Sequence, residues 1–389
     1  AKVDYDIVNK QGPDMDLAAF ARQAAKTEQA RCDVAIELMQ EVDWDLFSVQ
    51  IQSTDAFQHP NWWALDPAAA GYSPLAFEEA MAFYESLDQS LDKLLHNAGS
   101  SVLTIVVSDH GFCPKTTEFG INAWLLQQGY LCLKPSAEPT AIQNLKANLK
   151  QRIPLLKTVA AGYGKMLDFC RHKFAGTSGG THLYSEKIVG HIRQIIDHEQ
   201  TFAFCLGGMA GALYLADRTD EKKAHMLIQK LLEAYGPESD DPLITDICPV
   251  ESHPVNESET DSVPDYLILL APGAEARISP MGDAVVRPGI QCGRQTGTHE
   301  REGIFLFHGP DVKPGEASKA DIVDIAPTLM AYLSVPVPDH MDGKVLSRIF
   351  MRDLDIHYET SAEALKQRVD YSDTDQSIVE KQLKDLGYL

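Results

Sequence analysis

The stretch from Pro74 to Phe112 constrains the chain most. Apolar residues at Phe77, Ala80, Phe83, Leu87, Leu91 and Leu94 recur at helical spacing, and Ser73 followed by Pro74 supplies an N-cap and a first-turn proline. The helix predicted from Pro74 to His96 feeds an apolar run, Ser101 to Val107, with the length of a buried strand. That run stops at Ser108-Asp109-His110-Gly111-Phe112. Asp43 to Gln52 alternates like a strand ahead of the helix. Strand, helix and strand in that order call for an α/β fold, a mostly parallel sheet flanked by helices.

The rest of the chain extends this pattern. Asp16 is a candidate N-cap for a helix with apolar positions Leu17, Phe20, Ala24, Ala30, Val34, Ile36 and Met39. Residues 133–200, rich in Lys, Arg and Gly, read as a helical insertion or lid. Two short strands within Thr201 to Ala216 flank the glycines 207, 208 and 211, which suit a strand-to-strand turn better than a phosphate cradle. A helix follows from Glu221 to Tyr235, then an acidic, loop-like segment from Glu238 to Asp261. Pro264 to Leu270 and Gly303 to Phe307 read as buried strands. Ala320 to Leu333 reads as a helix in which Pro327 marks a kink or a late start, and Ile378 to Leu389 as a closing helix. One discontinuous core, residues 1–132 with 201–350, is expected, followed by a tail from 351 to 389.

The 34 Lys and Arg against 56 Asp and Glu give a formal charge of −22. Such a chain has no general attraction for a phosphate backbone, which argues against coating nucleic acid. An anionic substrate would need a local positive centre, most simply a metal. The seven cysteines are scattered with no CxxC, which points to free thiols in a reducing, cytoplasmic compartment. No apolar run reaches the roughly 18 residues of a membrane span.

Metal-ligating side chains concentrate in three places. Asp55 and His59 lie four residues apart, so one helical turn would put a carboxylate and an imidazole on one face. Asp109 and His110 end an apolar strand, where open α/β folds bind ligands. His299 sits in the polar, Gly-rich segment Gly297-Thr298-His299-Glu300. Together they could furnish a two-metal site of the kind that clamps the oxygens of a phosphoryl transfer, with a mixed Asp/His set better suited to zinc or manganese than to calcium.

In order along the chain, these motifs are joined by Ala320-Asp321-Ile322-Val323-Asp324-Ile325-Ala326-Pro327-Thr328-Leu329 and by Met341-Asp342-Gly343. The set resembles the alkaline phosphatase superfamily, on its type I phosphodiesterase and nucleotide pyrophosphatase branch. The resemblance implies an alkaline-phosphatase-like fold, two divalent ions, zinc first and manganese second, and hydrolysis of a small phosphate ester. It assigns Asp55, His59 and His299 to one ion, and Asp109 and His110 to the other. It also calls for a Thr or Ser nucleophile and a further Asp near the start. No Ser or Thr precedes Thr27, which falls inside the predicted first helix. The expectation is a chain lacking the segment that carries them. A non-catalytic metal-binding or interaction module on the same scaffold, or a phosphomutase or phosphonate hydrolase, is the alternative. Cys113-Pro114 does not continue into a sulfatase signature. His308 and His340 match no ligand of the family, and Asp324 and Asp342 read as structural. Trp62 and Trp63 read as packing residues that could also wall a pocket.

Overall fold

The computed structural model of the chain describes residues 16–134, 195–206, 210–250, 263–280, 284–289, 295–315 and 319–360. Most of the expected insertion, the glycines 207 and 208, and the expected closing helix lie outside them. The chain divides into two compact units, Ala1–Cys113 with His299–Leu389, and Pro114–Thr298.

In the first unit, α1 (Leu17–Glu41), α2 (Ser53–Leu65) and α3 (Pro74–Ala98) form a helical layer. The caps behave as the sequence predicts: the Asp16 side chain accepts from Ala19 N at 2.6 Å, and Ser73 Oγ from Ala76 N at 3.1 Å. Phe20, Phe57 and Phe83 pack in a chain, with ring centroids 5.6 and 4.9 Å apart, while fully buried Ala24 and Ala80 let the helices approach closely. Thr27, buried in the middle of α1, donates its hydroxyl to Gln23 O.

A charge lies inside this layer. The Glu28 side chain is fully buried and receives Arg31 Nη1 on both oxygens at 2.8 Å. The same carboxylate accepts from the backbone N of Ser53 at 2.8 Å, the first residue of α2, whose own N-cap Gln52 makes no side-chain cap. A residue of α1 therefore satisfies one of the orphan donors at the start of α2. Arg31 also donates to Gln50 O at 2.9 Å, fixing the approach to that helix.

Asp43–Gln52 forms no strand, which corrects the first of the two strands expected around α3. Its residues alternate in exposure from Phe47 to Gln52, but the segment is tied to α1 through Arg31 and through Trp44 Nε1, which donates to Met39 O. A period of two thus records one side lying on a helix. The apolar run before Asp109 narrows to β1 (Thr104–Val107), which pairs antiparallel with the strand Phe305–His308. Neither strand is covered as expected: Val106 and Val107 are each 42% exposed, Leu306 52% and the adjoining Ile304 69%.

Pairing is mostly antiparallel among the described strands, which do not bear out the expected mostly parallel sheet. Parallel pairs among the described strands include Thr117–Phe119 with Ala274–Ala276 and Val337–Pro338 with Tyr358–Glu359. The second unit holds a four-stranded antiparallel sheet in the spatial order Ala203–Leu206, Gly211–Leu215, Tyr266–Leu270, Ile244–Pro249. The last of these strands occupies part of the segment expected to be a loop. The first two strands of this sheet are separated by only four residues in sequence, too few for the crossover that a parallel pair needs. The helix Glu221–Tyr235 buries Ala224, Leu227 and Leu231 in this unit's core. Asn122, fully buried, donates to Cys205 O and Ile278 O and accepts from Cys205 N. The helices and sheets together make an α/β chain.

The Asp324 motif is structural. Ala320–Leu333 becomes a short 3-10 turn, Ile322–Asp324, then a helix, Ile325–Tyr332, with Pro327 in its first turn, so the proline marks a late start. Buried Asp324 accepts from Asp321 N at 3.0 Å and Lys344 N at 2.7 Å. Thr328 Oγ1 accepts from Leu346 N at 2.9 Å, so the helix and the turn after Met341 are sewn together. Asp324→Ala is expected to cost about 2–3 kcal/mol in denaturant unfolding by stranding two backbone donors, while Asp342→Ala, at an exposed site, changes stability by less than about 0.5 kcal/mol. Glu28→Ala, which removes the buried carboxylate shared by Arg31 and the Ser53 N–H, is expected to lose about 3–5 kcal/mol in the same measurement.

Candidate metal centre

All five predicted ligand residues belong to the first unit. Asp55 is the third residue of α2 and His59 follows one turn later, so the helix puts both side chains, with Trp62 a further turn on, along one face. Asp109 and His110 link β1 to β2 (Gly111–Pro114). His299 lies on the strand Gly297–Glu300, which hydrogen-bonds with β2.

Close backbone approach brings His110 and His299 together. Ser108 N donates to Ile304 O at 3.0 Å, and Ser108 Oγ accepts from Ile304 N at 2.8 Å, extending the β1 ladder by one side-chain rung. A Cβ on Gly111 would collide with the carbonyl oxygen of Glu302, and one on Gly303 with Ser108 Oγ. Glycine is required at 111 for the two backbones to lie this close, and at 303 it leaves room for the Ser108 hydroxyl.

The resulting cluster is compact. His299 Nε2 lies 2.9 Å from Asp55 Oδ1 and 2.9 Å from His59 Nε2, and His59 Nε2 lies 3.5 Å from the same carboxylate oxygen. The His110 and His299 rings stack with centroids 3.7 Å apart and planes 14° from parallel. One donor atom from each of Asp55, His110 and His299 falls within 4.8 Å of the others. That trio draws Asp55 and His299 from one expected ligand set and His110 from the other. Asp109 Oδ1 is 3.5 Å from His110 Nε2 at the edge, its side chain 81% exposed. His308, opposite Thr104 in its strand, and His340 are not members of the trio.

The donor set fits a cation. One ring nitrogen carries at most one proton, yet His299 Nε2 faces both a carboxylate oxygen and an imidazole nitrogen at hydrogen-bond distance, so a lone pair is left opposed to another acceptor. A positive ion that accepts a lone pair from each of these atoms removes the conflict. Burial pushes the Asp55 carboxyl up, but the hydrogen bond from His299 and the charges of His59, His299 and His110 outweigh it and hold the group below the ordinary carboxylate value.

Two aromatic residues border the cluster. Phe112 presents its ring to His59, His299 and His110, and Trp62 stacks on Phe112 with centroids 5.9 Å apart. The neighbouring Trp63 instead packs against the helical core. Adjacent tryptophans on a helix point about 100° apart, and the place of Trp62, three residues after His59, is the signal that separates them.

Residues 6–193 match the family model of the type I phosphodiesterases / nucleotide pyrophosphatases. The match spans just under half of the chain, which over that stretch is similar to this family. The match includes Asp55, His59, Asp109 and His110, and His299 lies beyond it. Among solved structures, the chain is similar to human ectonucleotide pyrophosphatase / phosphodiesterase 5, at 12% identity and a TM-score of 0.38 over 88% of this chain. It spans 65% of that protein. No curated protein matches.

A carboxyl held below its ordinary value of 3.8 stabilises the fold above that pH, and the contribution is lost as the pH falls past it. In chelator-treated protein, the stability difference between the wild type and Asp55→Asn is therefore expected to be full near neutrality and to close as the pH falls below the ordinary carboxylate value toward the lower pKa of the folded state. Denaturant unfolding at a series of pH values checks this.

Proposed function

We propose that this chain hydrolyses a small phosphate ester at a centre of two divalent metal ions, zinc by preference and manganese as the substitute. The observation that carries the reading is the convergence of Asp55, His110 and His299, with His59 against them. Asp55, His59 and His299 would hold one ion and Asp109 with His110 the other, as the family resemblance assigns them. When bound, the ions supply positive charge to phosphoryl oxygens.

The chain's own residues do the remaining work. Asp55 contributes the anionic oxygen toward which the imidazoles of His59, His110 and His299 turn. Its depressed pKa keeps that oxygen ionised well below neutral pH. Phe112 and Trp62 shield the imidazoles on one side, where lower polarity strengthens every charge interaction. Exposed Asp109 leaves the other side open to solvent and to a substrate. The site residues named here do not include the Thr or Ser nucleophile that the resemblance calls for.

The test is metal content by elemental mass spectrometry after dialysis against a competing chelator. The wild type is expected to retain zinc, and Asp55→Ala and His299→Ala to bind it at least about 100-fold more weakly, whereas His340→Ala retains it. Hydrolysis of a chromogenic phosphodiester should stop on chelation and return with zinc or manganese. Equal zinc in the wild type and both site variants would overturn the assignment, and zinc-bound protein inert toward phosphate esters would favour the non-catalytic module.

A further inference from the structure

We propose that Phe112 is a positioning residue that sets the ring orientation of the three histidines, with Trp62 holding it in place. This rests on the metal-centre reading above. The torsion that turns an imidazole about its Cβ–Cγ bond is soft and broadly two-fold, so a ligating histidine is ordinarily aimed by a hydrogen bond from its other ring nitrogen. His110 has such a contact, with Nδ1 3.0 Å from Gly111 O. His299 does not: its Nδ1 is buried and meets no partner among the described residues.

Apart from the Nε2 contacts to Asp55 and His59, ring contacts are what orient it. The Phe112 centroid is 5.0 Å from that of His299 at 63°, 4.9 Å from that of His59 at 77°, and 5.9 Å from that of His110 at 51°. The first two are edge-to-face arrangements, which favour one orientation over rotation about the ring axis. One phenyl ring thus touches an imidazole from each of the three segments that build the centre. Trp62 lies at 23° to Phe112 and extends from the same helical face as Asp55 and His59, so α2 supplies both two candidate ligands and the backing of the wedge. Gly111, held against Glu302, fixes the backbone from which the wedge projects.

Cobalt(II) serves as the probe, because its visible absorption reports ligand geometry as well as occupancy. In the full chain, Phe112→Leu is expected to lower cobalt and zinc affinity by about 10- to 100-fold and to shift the cobalt bands, whereas Phe112→Tyr keeps both close to the wild type. Phe83→Leu, in the helical core away from the histidines, is the control for general destabilisation and should lower the melting temperature without moving the spectrum. If Phe112→Leu does not fold, Trp62→Leu is read in the same way. A wild type that binds neither metal removes the metal-centre reading and this proposal together. A metal-binding wild type whose spectrum and affinity survive in Phe112→Leu, or in Trp62→Leu where that variant stands in for it, overturns the positioning role alone.

Discussion

The carboxylate of Glu28 is the constraint from which the helical layer takes its order. An unpaired anion inside a packed layer would cost several kcal/mol, so Glu28 can be buried only with partners that meet it in fixed directions. Arg31 comes from the same helix and would pair with it in any fold that keeps that helix. The backbone N–H of Ser53 is different, because it must be brought in from another element. Burying Glu28 therefore also fixes where α2 begins, and the beginning of α2 decides where Asp55 and His59 stand. A residue with no contact to the candidate ligands thus determines half of their geometry.

The other half depends on the absence of side chains. His110 and His299 are far apart in sequence, yet their rings stack with centroids 3.7 Å apart, where Gly111 lies against the Glu302 backbone and Gly303 against the Ser108 hydroxyl. Ser108 closes the seam with a hydroxyl in place of a backbone rung. Nonpolar walls, one carboxylate and three imidazoles then sit within a few ångströms, in a chain whose overall charge is strongly negative. The acidity of the whole and the cation affinity proposed for the cluster point the same way, since an anion has little reason to approach such a surface otherwise.

Helices were the legible part of this sequence. α1, α3 and Glu221–Tyr235 carry their period and their caps locally, and the structure follows both. Strand partners were not legible, because pairing is non-local: Ser108 finds Ile304 across 196 positions, and nothing in either segment names the other. Asp43–Gln52 shows why alternation alone misleads, since a segment lying along a helix alternates as a strand does. At the candidate centre the residue types could be read singly from Asp55, His59, Asp109, His110 and His299, and family resemblance grouped them. The grouping seen in space, with Asp55 Oδ1 2.9 Å from His299 and 3.9 Å from His110, required a close approach of segments distant in sequence. The aromatic wedge of Phe112 and Trp62 left only a faint trace, the spacing of Trp62 from His59.

The two-stranded ribbon of β1 and Phe305–His308 gives the molecule a colloidal character of its own. Val106, Ile304 and Leu306 form an exposed aliphatic strip on one face of this ribbon, which has two strands among the described residues, the kind of surface through which copies of a protein adhere. A formal charge of −22 opposes that adhesion by mutual repulsion, and salt weakens the repulsion while leaving the strip unchanged. Dispersity in solution is then a balance struck between one stripe of aliphatic side chains and the ionic strength of the medium.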